Sequence, residues 1–118
     1  MTVKKLEQLL LKKKASSLSF PFGEEVAVFK VSSKMFALFN TQQTPLQINL
    51  KCEPSNALAL RDIYESVIEG YHMNKKHWNT VILDGSIPLD VLQDMIDESY
   101  DLVVNNLTKK EKEKLSSF

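Results

Sequence analysis

Val26-Ala27-Val28-Phe29-Lys30-Val31-Ser32-Ser33-Lys34-Met35-Phe36-Ala37-Leu38-Phe39-Asn40, with Leu46-Gln47-Ile48-Asn49-Leu50-Lys51 shortly after it, decides how this chain folds. β-branched and aromatic residues dominate Val26–Val31 and Lys34–Asn40, and only Ser32-Ser33 separates the two runs. A two-residue gap between strand-forming runs is the spacing of a tight hairpin, although neither serine is the glycine or asparagine such a turn prefers. Thr41–Pro45 makes a second turn. Leu46 to Lys51 alternates cleanly, which predicts Leu46, Ile48 and Leu50 on a buried face and Gln47, Asn49 and Lys51 on an outer one. Three antiparallel strands in succession make a meander.

Outward from the meander the period changes from 2 to 3.6. On the N-terminal side, Ser16 to Glu25 reads as a connection broken by Pro21 and Gly23. Before it, Val3, Leu6, Leu9, Leu10 and Lys13 fit an amphipathic helix with Thr2 as its N-cap. On the other side, Glu53-Pro54-Ser55 opens a second helix with Leu58, Leu60, Ile63, Tyr64 and Val67 as its apolar set, and Gly70 ends that region. Trp78 to Leu83 alternates again and predicts a returning strand, followed by a turn at Asp84-Gly85-Ser86. The clearest helix is Pro88 to Asn105. At ~100° per residue Val91, Leu92, Met95, Ile96, Ser99, Leu102 and Val103 share one side, and Asp90, Asp94, Asp97 and Asp101 fall opposite. Ser99, central on the apolar side, reads as a small buried residue bonding back to a carbonyl. Thr108-Lys109-Lys110-Glu111 has capping-box spacing, so a short final helix begins there, with too little apolar surface to dock strongly. The fold class is α+β: an antiparallel sheet, three-stranded meander plus a returning strand, packed against helices.

At 118 residues and 43% apolar composition, residues 1–118 suit a single domain with one core. No apolar stretch approaches the roughly 18 residues needed to cross a bilayer. The N-terminal leucines and lysines lack the pattern of a secretory signal, and the lone Cys52 cannot form an internal disulfide, so the expected location is cytoplasmic. Net charge is zero, but it is unevenly spread. Residues 1–14 carry five lysines against one glutamate, residues 84–105 six acids and no base, and residues 106–118 four lysines against two glutamates. Separate basic and acidic regions allow a polyanion to bind one side of a neutral molecule, or simply clothe solvated helix faces.

Gly70-Tyr71-His72-Met73-Asn74-Lys75-Lys76-His77-Trp78-Asn79-Thr80-Val81 holds a hydrophobic residue, then Asn, Lys and His-Trp, leading into a strand with Val. It resembles the signature segment of the MmcQ/YjbR family. Val31-Ser32-Ser33-Lys34-Met35-Phe36, Leu50-Lys51-Cys52-Glu53-Pro54, Leu83-Asp84-Gly85-Ser86-Ile87-Pro88 and Ser99-Tyr100 resemble the rest of the pattern in the right order, so the similarity runs through nearly the whole chain. Ser33 departs from the glycine frequent in that hairpin, which bears on the turn's shape. The resemblance implies a CyaY-like (frataxin-like) fold with a double-wing arrangement of β-hairpins, and DNA binding.

The segment from His72 to Trp78 gathers lysines, imidazoles, an amide and an indole, groups able to meet phosphates, base edges and base faces. With the hairpin lysines, the candidate nucleic-acid contacts are Lys34, Lys51, His72, Asn74, Lys75, Lys76, His77 and Asn79. Trp78 also fits a core role, and Asn74 and His77 fit loop staples; both alternatives stand. Cys52, His72 and His77 match no zinc spacing, and no cofactor or metal is expected. The aspartate row reads as a solvated face, with a frataxin-type protein-interaction or metal-handling surface as its functional alternative. Three separated glycines make no phosphate loop, no nucleophile elbow is present, and nothing local activates Cys52, so a non-enzymatic module is expected. The expected partner is DNA, with a protein partner second; neither a membrane nor a small-molecule substrate is indicated.

Overall fold

The computed structural model describes residues 1–70 and 73–118, so the candidate contact His72 lies outside the described residues. The first helix (α1, Val3–Leu11) starts where the Thr2 side chain accepts the Lys5 N–H, as its sequence predicts. A three-residue strand (β1, Ser17–Ser19) then pairs antiparallel with Val28–Lys30. The expected Ser16–Glu25 connection thus contains a strand. Three residues are too few for a period to show, and only the partner strand reveals them.

The hairpin forms as read: β2 (Val26–Val31) and β3 (Lys34–Asn40) pair antiparallel around Ser32 and Ser33. Both serines take positive φ, 48° and 65°, the left-handed pair a two-residue hairpin turn demands. Phe29 pairs with Ala37 but Lys30 with Met35, so Phe36 is an extra residue bulged out of the ladder. β4 (Gln47–Lys51) completes the meander, with Leu46, Ile48 and Leu50 buried and Gln47, Asn49 and Lys51 half-buried on the other face, in the expected register. The returning strand β6 (Trp78–Ile82) lies against β4, and another short strand, β5 (Val67–Glu69), against β6. Among the described residues the sheet has six strands in the order β1-β2-β3-β4-β6-β5, all paired antiparallel.

β5 corrects the second helix. That helix (α2, Pro54–Ile63) ends at Tyr64, whose extended backbone turns the chain into β5, so Val67 is a strand residue. Leu58 and Ile63, expected to be core, are 63% and 67% exposed. α2 rests on the sheet margin at β5 and β6 through Ala57 and Leu60, and too little sheet remains there to cover its other apolar side chains. β6 likewise alternates in direction but not in burial: flanked on both sides, it has Trp78, Asn79, Thr80 and Val81 all buried.

The long helix (α3, Leu89–Asn105) lies across β2, β3 and β4 and buries Leu92, Met95, Ile96, Ser99, Tyr100 and Val103. Asp90, Asp94, Asp97 and Asp101 are exposed, as the periodicity predicts. Phe29 stacks on Phe39 beneath it with ring centroids 5.9 Å apart, and Phe36 meets Tyr100 edge-on at 5.4 Å. α1 is tied to this helix by Lys13, whose Nζ is 2.7 Å from Asp97 Oδ1 and 4.9 Å from the Tyr100 ring centre, and by the Tyr100 hydroxyl donating to Lys14 O. The last helix (α4, Lys109–Ser116) begins with the expected Thr108/Glu111 capping box and buries only Leu115. Among the described residues no helix is long and apolar enough to cross a membrane.

Candidate nucleic-acid interface

The antiparallel order brings the β2–β3 hairpin tip, the end of β4 and the start of β6 to one end of the sheet. Residues far apart in sequence therefore meet there. Lys34 is exposed beside the hairpin tip and close enough to Glu111 to help lower its pKa, which falls mainly through the Thr108 backbone N–H and hydroxyl. Lys51 pairs with Trp78 across the β4–β6 ladder. Lys75 and Lys76 are exposed in the loop leading into β6.

That loop is held by its own polar groups. The Asn74 carbonyl accepts the His77 and Trp78 N–H groups at 3.2 and 2.9 Å, and its side-chain Oδ1 accepts the Lys76 N–H at 3.0 Å. His77 O accepts the Cys52 N–H at 2.7 Å, joining the loop to the end of β4. Asn74 therefore serves as a loop staple and is also exposed, while His77 is half-buried. Trp78 is 9% exposed, a largely core residue. Asn79 corrects the candidate set. It is 2% exposed, on the helix side of β6, with its Nδ2 donating to Ala57 O at 3.3 Å under α2, where no phosphate can reach.

Sequence reading missed Arg61 and Gly70. Arg61, the only arginine, reaches from α2 to donate to Lys75 O at 3.1 Å and pairs with Glu69 at 3.5 Å, fixing the lysine-bearing loop against β5. Its solitary place among lysines was the available signal, because a forked planar donor serves two acceptors at once. Gly70 is buried with its N–H on Trp78 O at 2.9 Å. A Cβ there would lie 2.8 Å from both Trp78 Cβ and Trp78 O. Gly70→Ala is therefore expected to push the loop off β6 and cost about 1–3 kcal/mol, as overpacking does. Urea titration followed by Trp78 fluorescence checks this; an unchanged midpoint and spectrum would show that the strand yields without cost.

Lys51, Asn74, His77 and Trp78 border one groove of about 380 Å³, closed on the helix side by Pro54, Leu102 and Asn106. Cys52 lies at its floor, 4% exposed, with Sγ 3.5 and 3.6 Å from the Glu98 oxygens. Burial foremost, then the Glu98 charge, pushes the thiol pKa up to about 12. The unfolded thiol ionises near its ordinary 9.0, so the stability due to this group is whole below that pH and declines as pH rises toward 12. Folded protein should accordingly resist thiol alkylation at pH 8 and react at its unfolding rate; rapid labelling of native protein would contradict the buried, protonated thiol. Glu98 also accepts the Glu53 N–H at 3.2 Å and the Asn56 side-chain amide at 2.6 Å, so it fastens the start of α2 to α3. Among the described residues no three His, Cys, Asp or Glu side chains gather as an ion-holding group.

The YjbR family model matches residues 11–102, from the end of α1 to within α3. The chain is 41% identical to Escherichia coli O157:H7 YbdF over 98 residues, covering 83% of this chain and 80% of that protein. It is 34% identical to Escherichia coli K12 YjbR over 115 residues, 98% and 97% of the two chains. Its structure superposes on Deinococcus radiodurans DR2400, a protein with a DUF419 domain, with TM-score 0.92 at 40% identity, covering 98% of this chain and 88% of that one. A Pseudomonas syringae protein follows with TM-score 0.75 at 27% identity, over 86% and 98%. The matched span holds both hairpin lysines, the Asn74–Trp78 loop and its Arg61 clamp, and the chain belongs to the YjbR family.

Proposed function

We propose that this protein is a DNA-binding or regulatory accessory module of the cytoplasm, acting without catalysis and contacting nucleic acid through the lysine-bearing end of its sheet. The observation that carries the reading is the convergence of Lys34, Lys51, Lys75 and Lys76 from three separate segments onto one end. α4 adds Lys109, Lys110, Lys112 and Lys114, all exposed, and Glu111 within the influence of Lys34 relates the two. Glu24, Glu25 and Asp84 sit at the opposite end, beside the Thr41–Pro45 turn. At the lysine end Glu69 pairs with Arg61, and Glu53 and Glu111 accept backbone N–H groups, while the exposed Lys34, Lys75 and Lys76 can meet a polyanion. In this reading the β2–β3 hairpin is a wing, the architecture is frataxin-like, and Lys34, Lys51, Asn74, Lys75, Lys76 and His77 make the contacts. The protonated Cys52 thiol argues against a nucleophile in the groove.

Binding should be mostly electrostatic and fall steeply with salt, since each neutralised phosphate releases counterions with a slope of roughly −0.9. Lys75→Gln with Lys76→Gln should weaken binding to every sequence and flatten the slope by up to about two units. Fluorescence anisotropy over a salt series, with circular dichroism confirming that the variant folds, measures it. An unchanged slope would remove these lysines from the interface. The alternative reading, a frataxin-like protein or metal contact on α3, draws on the exposed Asp90, Asp94 and Asp101, whereas Lys13 already pairs with Asp97. Absence of DNA binding at low salt would turn the search to that face.

A further inference from the structure

We infer that the groove between the end of β4, the Asn74–Trp78 loop and the end of α3 seats one unpaired nucleotide, its base inside and its phosphate at Lys51. The inference rests on the nucleic-acid reading above and names the form of nucleic acid preferred. At about 380 Å³ the groove falls within the roughly 300–1,000 Å³ of small-ligand sites. Pro54, Leu102 and the accessible edge of Trp78 supply apolar surface for a base, and half-buried His77 supplies a second ring.

Two amides border the same space with complementary groups left over among the described residues. Asn74 uses its Oδ1 on the Lys76 N–H and keeps its NH2. Asn106 uses its Nδ2 on Leu102 O at 3.0 Å and keeps its Oδ1. A donor group and an acceptor match the Watson–Crick edge of a nucleobase, which is occupied in a duplex and available when the base is unpaired. Lys51 provides the ammonium for the attached phosphate. Glu53, the carboxylate on the wall, is engaged by the Ser55 and Asn56 N–H groups at the start of α2. The walls are also set in advance: Lys51 N–H donates to Ser99 Oγ at 2.8 Å, Cys52 N–H to His77 O at 2.7 Å and Trp78 N–H to Asn74 O at 2.9 Å. A site whose backbone is already fixed loses little on ordering a ligand.

The test is anisotropy with a labelled single-stranded oligonucleotide and a blunt duplex of the same length, at fixed low salt. The single strand should bind about tenfold more tightly, within the range of stacking one base. Asn106→Trp, at an exposed position, should close the groove and bring single-strand affinity down to the duplex level while leaving duplex binding unchanged. Lys51→Gln should weaken single-strand binding several-fold more than duplex binding, and this difference serves if Asn106→Trp does not fold, as judged by circular dichroism. Unlabelled deoxynucleoside monophosphates distinguish the source: displacement at concentrations matching the strand assigns the groove to free nucleotides, and no displacement assigns it to a strand held also by Lys75 and Lys76. Equal affinity for both DNA forms, with Asn106→Trp without effect and Lys51→Gln weakening both forms alike, would overturn the groove assignment and leave the lysine surface standing. No binding of either form would overturn both.

Discussion

Ile96→Asp should leave no folded protein. Ile96 is 2% exposed on the side of α3 that lies over β3 and β4, at the centre of the core with Phe29, Phe39 and Ile48. The substitution removes a buried aliphatic side chain, worth about 2–5 kcal/mol when a core residue is truncated. It also places a carboxyl where no cation can follow, at several kcal/mol more. Against a total stability of about 5–15 kcal/mol the sum is decisive. Circular dichroism should show loss of the cooperative thermal transition. Asp94→Asn, on the exposed side of the same helix, should shift stability by no more than about 0.5 kcal/mol. A cooperative melt in Ile96→Asp would mean α3 is not seated on the sheet as described.

Ser99→Ala should have the next largest effect, through two backbone groups rather than through volume. Ser99 is fully buried. Its hydroxyl donates to Phe36 O at 2.5 Å and accepts the Lys51 N–H at 2.8 Å. The β3–β4 ladder has its last partners at Ala37 and Leu50, and the bulge at Phe36 carries the chain out of register one step further on. The serine bridges that gap from the helix. Alanine would leave a buried carbonyl and a buried N–H without their partner, at about 1–3 kcal/mol each. A loss of about 2–4 kcal/mol lowers the melting temperature by roughly 10–15 °C in a domain of this size. Because Lys51 borders the proposed groove, the variant should also bind single-stranded DNA less well at temperatures where it remains folded. A melting temperature within about 2 °C of the parent would show the two groups finding water or each other.

Ser99 marks the boundary between what sequence and tertiary structure each decide. Its place on the buried side of α3 follows from the 3.6 period, but its partner is not the carbonyl one turn back that a helical serine usually finds; it is the edge of a bulge 63 residues away. Periodicity says which way a side chain faces and nothing about what stands opposite. For the same reason the Leu46–Lys51 register, the hairpin at Ser32-Ser33, the Thr2 and Thr108 caps and the aspartate row were all legible: each depends on residues within a few positions of one another. β1 and β5 were not, since three residues show no period and become strands only through the distant segments they pair with. Asn79 and Leu58 were misplaced because burial depends on how far neighbouring elements extend: α2 reaches over Asn79, and the sheet ends before it can cover Leu58. The candidate residues Lys34, Lys51 and Asn74–His77 could be picked by type alone. Their meeting at one end of the sheet, the groove that Lys51, Asn74 and His77 border and the Arg61 clamp that holds the loop come from antiparallel pairing across long stretches of chain, a long-range arrangement that no local pattern of residues encodes.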